Sequence, residues 1–286
     1  MAVYKRGYQR YSGPLTGSLT RFLVLPRYAW RRLYQQRLVL LLTILAFVWP
    51  LLCAGFIYLT NHAELLQGLD REFREFIQVD GRFFSIFMYV QAGFAVFLAA
   101  LAGPSLIAPD LANNALPLYF SRPLTRWSYA LARLTVLMGM LSIVTWVPGL
   151  ILFGLQVGLA GGGWFSANWT LGAGMVAGFL IWLLLLSLVA MASSAYVKWR
   201  VVAAAVTLAF FFILGGIAEM IDQVLRVTWG HIIDPAWAVN QVWCKLLGVT
   251  PPGGPGAAAS ATSLALMVLL LVIVIERKLR PVEVVS

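Results

Sequence analysis

Six apolar stretches, near 38–60, 83–108, 134–157, 171–197, 201–220 and 257–275, approach or exceed the ~20 residues a helix needs to cross a bilayer. A chain that must hide this much apolar surface cannot close on itself as a water-soluble globule. With 61% hydrophobic residues, 11% charged residues and a mean hydropathy of +0.84, it belongs with integral membrane proteins. The runs are too long and too evenly apolar for barrel strands, which are about 10 residues with alternating polarity. The expected fold is therefore all-α, a six-transmembrane-helix bundle over 38–275.

With six spans, the N-terminus, the segments 109–133 and 197–200 and the C-terminal tail 276–286 share one side. That side holds 16 of the 21 Lys and Arg residues but only three of the 11 acidic ones. Basic loops stay in the cytoplasm, so both termini are expected there, with the chain in the cell inner membrane. A net charge of +10 also suits nucleic acid. No recognition motif accompanies it, so anionic lipid headgroups are the expected electrostatic partner and nucleic acid is not. Residues 1–37 do not read as a cleavable signal, because the apolar run behind them exceeds a signal core and no small-x-small site closes it. Within them Leu19, Phe22, Leu23, Trp30, Leu33 and Tyr34 interleave with Arg21, Arg27, Arg31, Arg32 and Arg37. That pattern predicts a helix in the headgroup plane, bent at Pro26, leading into the first span.

On the opposite side, Asn61-His62-Ala63-Glu64 can form a capping box for a short amphipathic helix carrying Leu65, Leu69, Phe73, Phe76 and Ile77. In 221–256, Asp234-Pro235 reads as an N-cap with proline at the first helical position, and Gly248 as the stop. Trp237 and Trp243 between them suit the membrane interface. Pro251, Pro252, Gly253, Gly254, Pro255 and Gly256 form an extended linker into the last span.

Catalytic chemistry is absent from the pattern. The two histidines, His62 and His231, fall in predicted loops without metal-ligand spacing, Cys53 and Cys244 read as unpaired thiols, and there is no nucleophile elbow or P-loop. No enzymatic activity, metal or cofactor is expected in this chain. Gly172, Gly174 and Gly178 predict close helix packing, Gly215-Gly216 the same or a flexible point, and Trp49-Pro50 and Pro148-Gly149 kinks in spans one and three. No Asp, Glu, Lys or Arg is expected near the centre of a span, where Gln91 and Gln156 are the most polar groups. Ion-driven transporters generally need buried ionisable relays, so energy for transport would have to come from another polypeptide.

One polar break is built differently. From Asp110 to Arg133 the chain carries Asn113, Asn114, Pro117, Ser121, Arg122, Pro123 and Arg126 between two spans. Its first ten residues can form a short helix, limited by Pro117 and Pro123. From physics alone this is a docking element or simply a solvated basic loop. Leu118-Tyr119-Phe120-Ser121-Arg122-Pro123-Leu124-Thr125-Arg126-Trp127-Ser128-Tyr129, with six spans and an amphipathic leader, resembles the ABC-2 type transporter permeases. The branch it is most similar to contains the nitrous oxide reductase maturation and gliding-motility permeases. The chain departs from the family in having Asp110 where Glu is common and Ala132-Arg133 where a Gly-Lys pair closes the motif. The resemblance implies a type V exporter-like architecture with an N-terminal elbow, and a second permease copy or paralogue paired around a central pathway. It also implies that the 109–133 loop docks a separate cytoplasmic ABC ATPase, which holds the ATP and magnesium. The coupling residues it implies are Asp110, Asn113, Asn114, Leu116, Pro117, Ser121, Arg122, Pro123 and Arg126. The other reading is a non-transporting anchor or scaffold for an ATPase-containing assembly that includes envelope proteins.

Overall fold

The computed structural model describes residues 18–62, 78–113 and 126–278, and the side chains within them except those of 18–25, 111–112 and 126. Six helical segments in it are long and apolar enough to cross a membrane: Arg37–Asn61, Gly81–Asp110, Trp127–Ala160, Gly162–Tyr196, Arg200–Leu225 and Ala257–Lys278. We call them spans 1 to 6. The regular elements among the described residues are all helical, and the chain is a multi-pass membrane protein. We call the side with the start of span 1 and the end of span 6 the terminal side, and its opposite the far side.

The span edges lie close to the hydropathy limits, with one correction. The stretch 158–170, expected as a connection between spans 3 and 4, is mostly helix. Span 3 runs to Ala160 and span 4 begins at Gly162. The reversal is made at Gly161, whose φ of +87° is a conformation that glycine reaches without the Cβ penalty. Trp164 and Phe165 then fold back on Phe153, at ring-centroid distances of 5.3 and 6.3 Å.

Span 4 is the hub, packed against spans 2, 3, 5 and 6. Lipid removes most of the hydrophobic incentive for helices to associate, so close packing depends on small residues. A Cβ at Gly103 of span 2 would come 2.5 Å from Ala190 Cβ of span 4. In span 4 itself a Cβ at Gly178 would lie 2.6 Å from the Trp243 ring, and one at Gly174 2.8 Å from the Leu246 carbonyl oxygen. Gly174 and Gly178 admit close packing, as their spacing predicts, and what they admit is the short helix Pro235–Leu247.

That helix corrects a second expectation. Asp234 does cap it, accepting from the Ala236 N–H at 2.9 Å, and Gly248 stops it in the left-handed region at φ +67°. It does not lie at the interface with its tryptophans facing headgroups. Trp243 is 2% exposed, between Phe179 and Trp182 at 5.8 and 6.2 Å. A side chain at Gly81, the first residue of span 2, would run into the Leu247 carbonyl, whereas the Asp234 carboxylate lies 3.4 Å from where a Cβ at Gly215 would be. Gly215 is ten residues inside the far end of span 5, about 15 Å at 1.5 Å per residue. The helix therefore dips from the far side towards the middle of the bundle.

The turn before it is tied to span 5. His231 Nε2 lies 3.5 Å from Glu219 and 3.6 Å from Asp222, its ring stacks on Trp237 at 4.1 Å, and the Gly230 N–H donates to Asp222 at 2.6 Å. Asn61, read as a possible N-cap, instead ends the span 1 helix. Its amide donates to the Ile57 carbonyl and to Gln156 of span 3, both at 2.8 Å. The amphipathic helix expected after it lies outside the described residues. Span 2 begins with a cap not anticipated from the sequence, Asp80, which accepts from the Phe83 N–H at 3.0 Å. Cys53 and Cys244 are buried free thiols.

Candidate functional site

Three features of the bundle carry polar chemistry that packing alone does not demand. The first lies where Gln91 of span 2, fully buried, meets two interrupted helices. Proline has no N–H, so Pro50 leaves the carbonyl four residues back, Ala46, without its helical donor, and Pro148 does the same to Val144. The spans are interrupted at these points, at Phe47 and Thr145. The Gln91 amide nitrogen donates one hydrogen to Ala46 O at 3.0 Å and one to Val144 O. The opposite amide orientation would set an oxygen against two carbonyls, so the network fixes which way the group points. One side chain thus closes both proline breaks and joins spans 1, 2 and 3 at a single node. The two kinks and the intramembrane Gln91 were visible in the sequence, but their pairing requires the fold.

The second feature is at the terminal end of spans 2 and 3. Asp110, read from sequence as the head of a loop, lies in the helix Pro104–Ala112 that prolongs span 2, and its side chain turns towards span 3. Asp110 Oδ2 accepts from the Tyr129 hydroxyl at 2.7 Å and from the Arg133 guanidinium. Arg133 lies over the Tyr129 ring, 5.1 Å from its centroid. Tyr129 is fully buried and Arg133 nearly so. A buried guanidinium–carboxylate pair keeps its charges only with good geometry and further hydrogen bonds, and Tyr129 supplies one of them. Span 4 holds the same helix from behind. The Ser194 hydroxyl accepts from the Ala108 N–H at 2.9 Å and faces Pro104 O at 3.4 Å, inserted across one i to i−4 pair.

The two stems of the 109–133 segment are therefore clamped together. Among the other coupling candidates, Asn113 is exposed at the end of its stem and Arg126 opens the helix of span 3. Asn114, Leu116, Pro117, Ser121, Arg122 and Pro123 lie outside the described residues. Tyr129 and Arg133 are the members that sequence reasoning did not single out as a site. An acidic and a basic residue flanking one loop, each within a helical turn or two of a span end, was the available signal.

The leading helix Ser18–Tyr34 packs beside span 3. Trp30 donates from its indole nitrogen to Val136 O at 2.8 Å, and its ring fills the space at Gly139, where a Cβ would lie 2.5 Å from it. Arg27, Arg31 and Arg32 are exposed, while Ala29 and Leu33 are buried. The helix thus has an apolar seam towards span 3 and a charged outer face. Arg21 and Phe22 lie within the same helix.

The third feature is a cleft of about 390 Å³ among span 2, span 5 and the dipping helix. Tyr89, Phe97, Trp182, Phe211, Phe212 and Trp243 give it aromatic walls, and among the described residues Asp234 is its only charged lining residue. No acidic group was expected at this depth, because a 13-residue helix is too short to be read as entering a bilayer. No protein-family model matches the chain, and no curated protein matches its sequence.

Proposed function

We propose that this chain is the transmembrane permease subunit of an ABC transporter of the ABC-2 type, moving substrate with ATP hydrolysed by a separate ATPase docked on the 109–133 loop. In this reading the terminal side faces the cytoplasm of a cell inner membrane, the leading helix is the interfacial elbow, and two permease copies pair. The observation that carries it is the Asp110–Tyr129–Arg133 clamp. A flexible tether between spans would need no such anchorage. A loop that receives force needs stiff stems, so that displacement of its tip reaches spans 2 and 3 rather than being absorbed at its base. Ser194 extends the linkage to the hub helix, and Gln91 relays it to the broken first span.

Substitution of Arg122→Glu together with Arg126→Glu reverses the loop's charge without touching the clamp. In a reconstituted complex it should leave insertion intact and uncouple ATP hydrolysis from transport. Undiminished transport by that variant would count against the loop as the docking element. A bound ATPase whose hydrolysis ignores every tested substrate would favour the scaffold instead.

A further inference from the structure

We infer that the cleft between spans 2 and 5 is a binding site for a lipophilic organic cation, with the Asp234 carboxylate as its counter-ion. Asp234 lies at the depth of Gly215, well inside the far end of span 5, and is 9% exposed. A carboxylate at such depth is costly and is normally paired. Here one oxygen caps the dipping helix through the Ala236 N–H, and among the described residues no Lys, Arg or His nitrogen forms an ion pair with either oxygen.

Capping does not explain the charge. Asparagine caps a helix as well as aspartate does, without carrying a charge into the membrane. The helix dipole offsets part of the cost, but it would do so for any N-cap carboxylate. What distinguishes this one is its surroundings. Trp182 meets Phe211 at 5.3 Å and Trp243 at 6.2 Å in T-shaped pairs, and all three rings line the cleft. Aromatic faces carry negative electrostatic potential and attract cations, most strongly when water is excluded. The same faces repel anions, and a neutral apolar guest has no use for the carboxylate. The volume falls within the ~300–1,000 Å³ of small-molecule sites.

As a statement about transported substrate, this rests on the permease reading. As a statement about binding it does not, because it needs only the isolated chain. The test is equilibrium binding of tetraphenylphosphonium, and of its anionic isostere tetraphenylborate, to the purified full chain in detergent micelles. Asp234→Asn keeps the cap and removes the charge. It should weaken phosphonium binding about tenfold or more relative to the native chain, while tetraphenylborate binding is unchanged or tighter. Gly93→Leu fills the cleft at a position where an added Cβ meets nothing within 4 Å, and it should weaken both ions. Equal phosphonium affinity in native and Asp234→Asn protein overturns the counter-ion role, and indifference of both ions to Gly93→Leu overturns the location. Either result leaves the permease reading standing, and failure to find an ATPase partner leaves the cation site standing.

Discussion

Asp110 and Asp234 are both buried or nearly so, and both lie at helix ends, yet their surroundings are opposite. Asp110 receives a tyrosine hydroxyl and a guanidinium, and the three side chains lock two span ends together. Asp234 receives a single backbone N–H and otherwise opens onto an aromatic cleft. A satisfied charge makes a rigid joint, and an unsatisfied one leaves free energy available to a ligand. The same division runs through the bundle. The most apolar window of span 4 is 72% buried, whereas those of spans 5 and 6 are 22% buried. The clamp sits beside the buried hub, and the cleft opens beside the exposed rim.

The difference can be broken by substitution, and the largest effect belongs to Asp110. Asp110→Ala leaves Arg133 buried without its carboxylate and should destabilise the chain by about 3–5 kcal/mol, read from thermal or denaturant unfolding in micelles. The double variant Asp110→Leu with Arg133→Met should recover much of that loss, because the cost arises from the unpaired partner. A double variant no more stable than the single one would mean that the pair is not the source of the effect.

Gln91→Leu comes next. It returns two carbonyls to the unbonded state that Pro50 and Pro148 impose, for a loss of about 1–2 kcal/mol by the same measurement. Restoring a backbone donor with Pro50→Ala in the Gln91→Leu background should reduce that loss. Trp30→Phe removes one indole hydrogen bond while keeping most of the packing at Gly139, and should cost about 1 kcal/mol. Asp234→Asn is expected to cost least, because asparagine keeps the cap and removal of an unpaired buried charge leaves stability unchanged or higher. A large stability loss there would make Asp234 a structural residue like Asp110.

The spans were legible because hydropathy reports directly on the solvent a helix needs. The kinks at Trp49-Pro50 and Pro148-Gly149 were legible because proline acts locally. Depth was not. The cap and stop of the 235–247 helix could be read from Asp234-Pro235 and Gly248, but its short length and tryptophans look the same whether it lies on a membrane or dips into one. Only contact with Gly174, Gly178 and Gly215 distinguishes the two. Asp110 was assigned to the loop because the apolar run of span 2 ends at 108. In the fold, helix persists through Ala112, anchored by Ser194 and Arg133, so tertiary contacts outweigh the local signal.

The central claim is that force enters through the clamped loop from an ATPase on the terminal side. Its most direct test is mild-detergent purification of the tagged full chain from its native membrane, with ATP hydrolysis measured in the eluate for the native protein and for Arg122→Glu with Arg126→Glu. The expected result is a co-purifying ATPase with the native chain, and its loss or uncoupling with a variant that still inserts and unfolds at the native temperature. No ATPase with the native chain, or an equal amount of fully coupled ATPase with the variant, would contradict it.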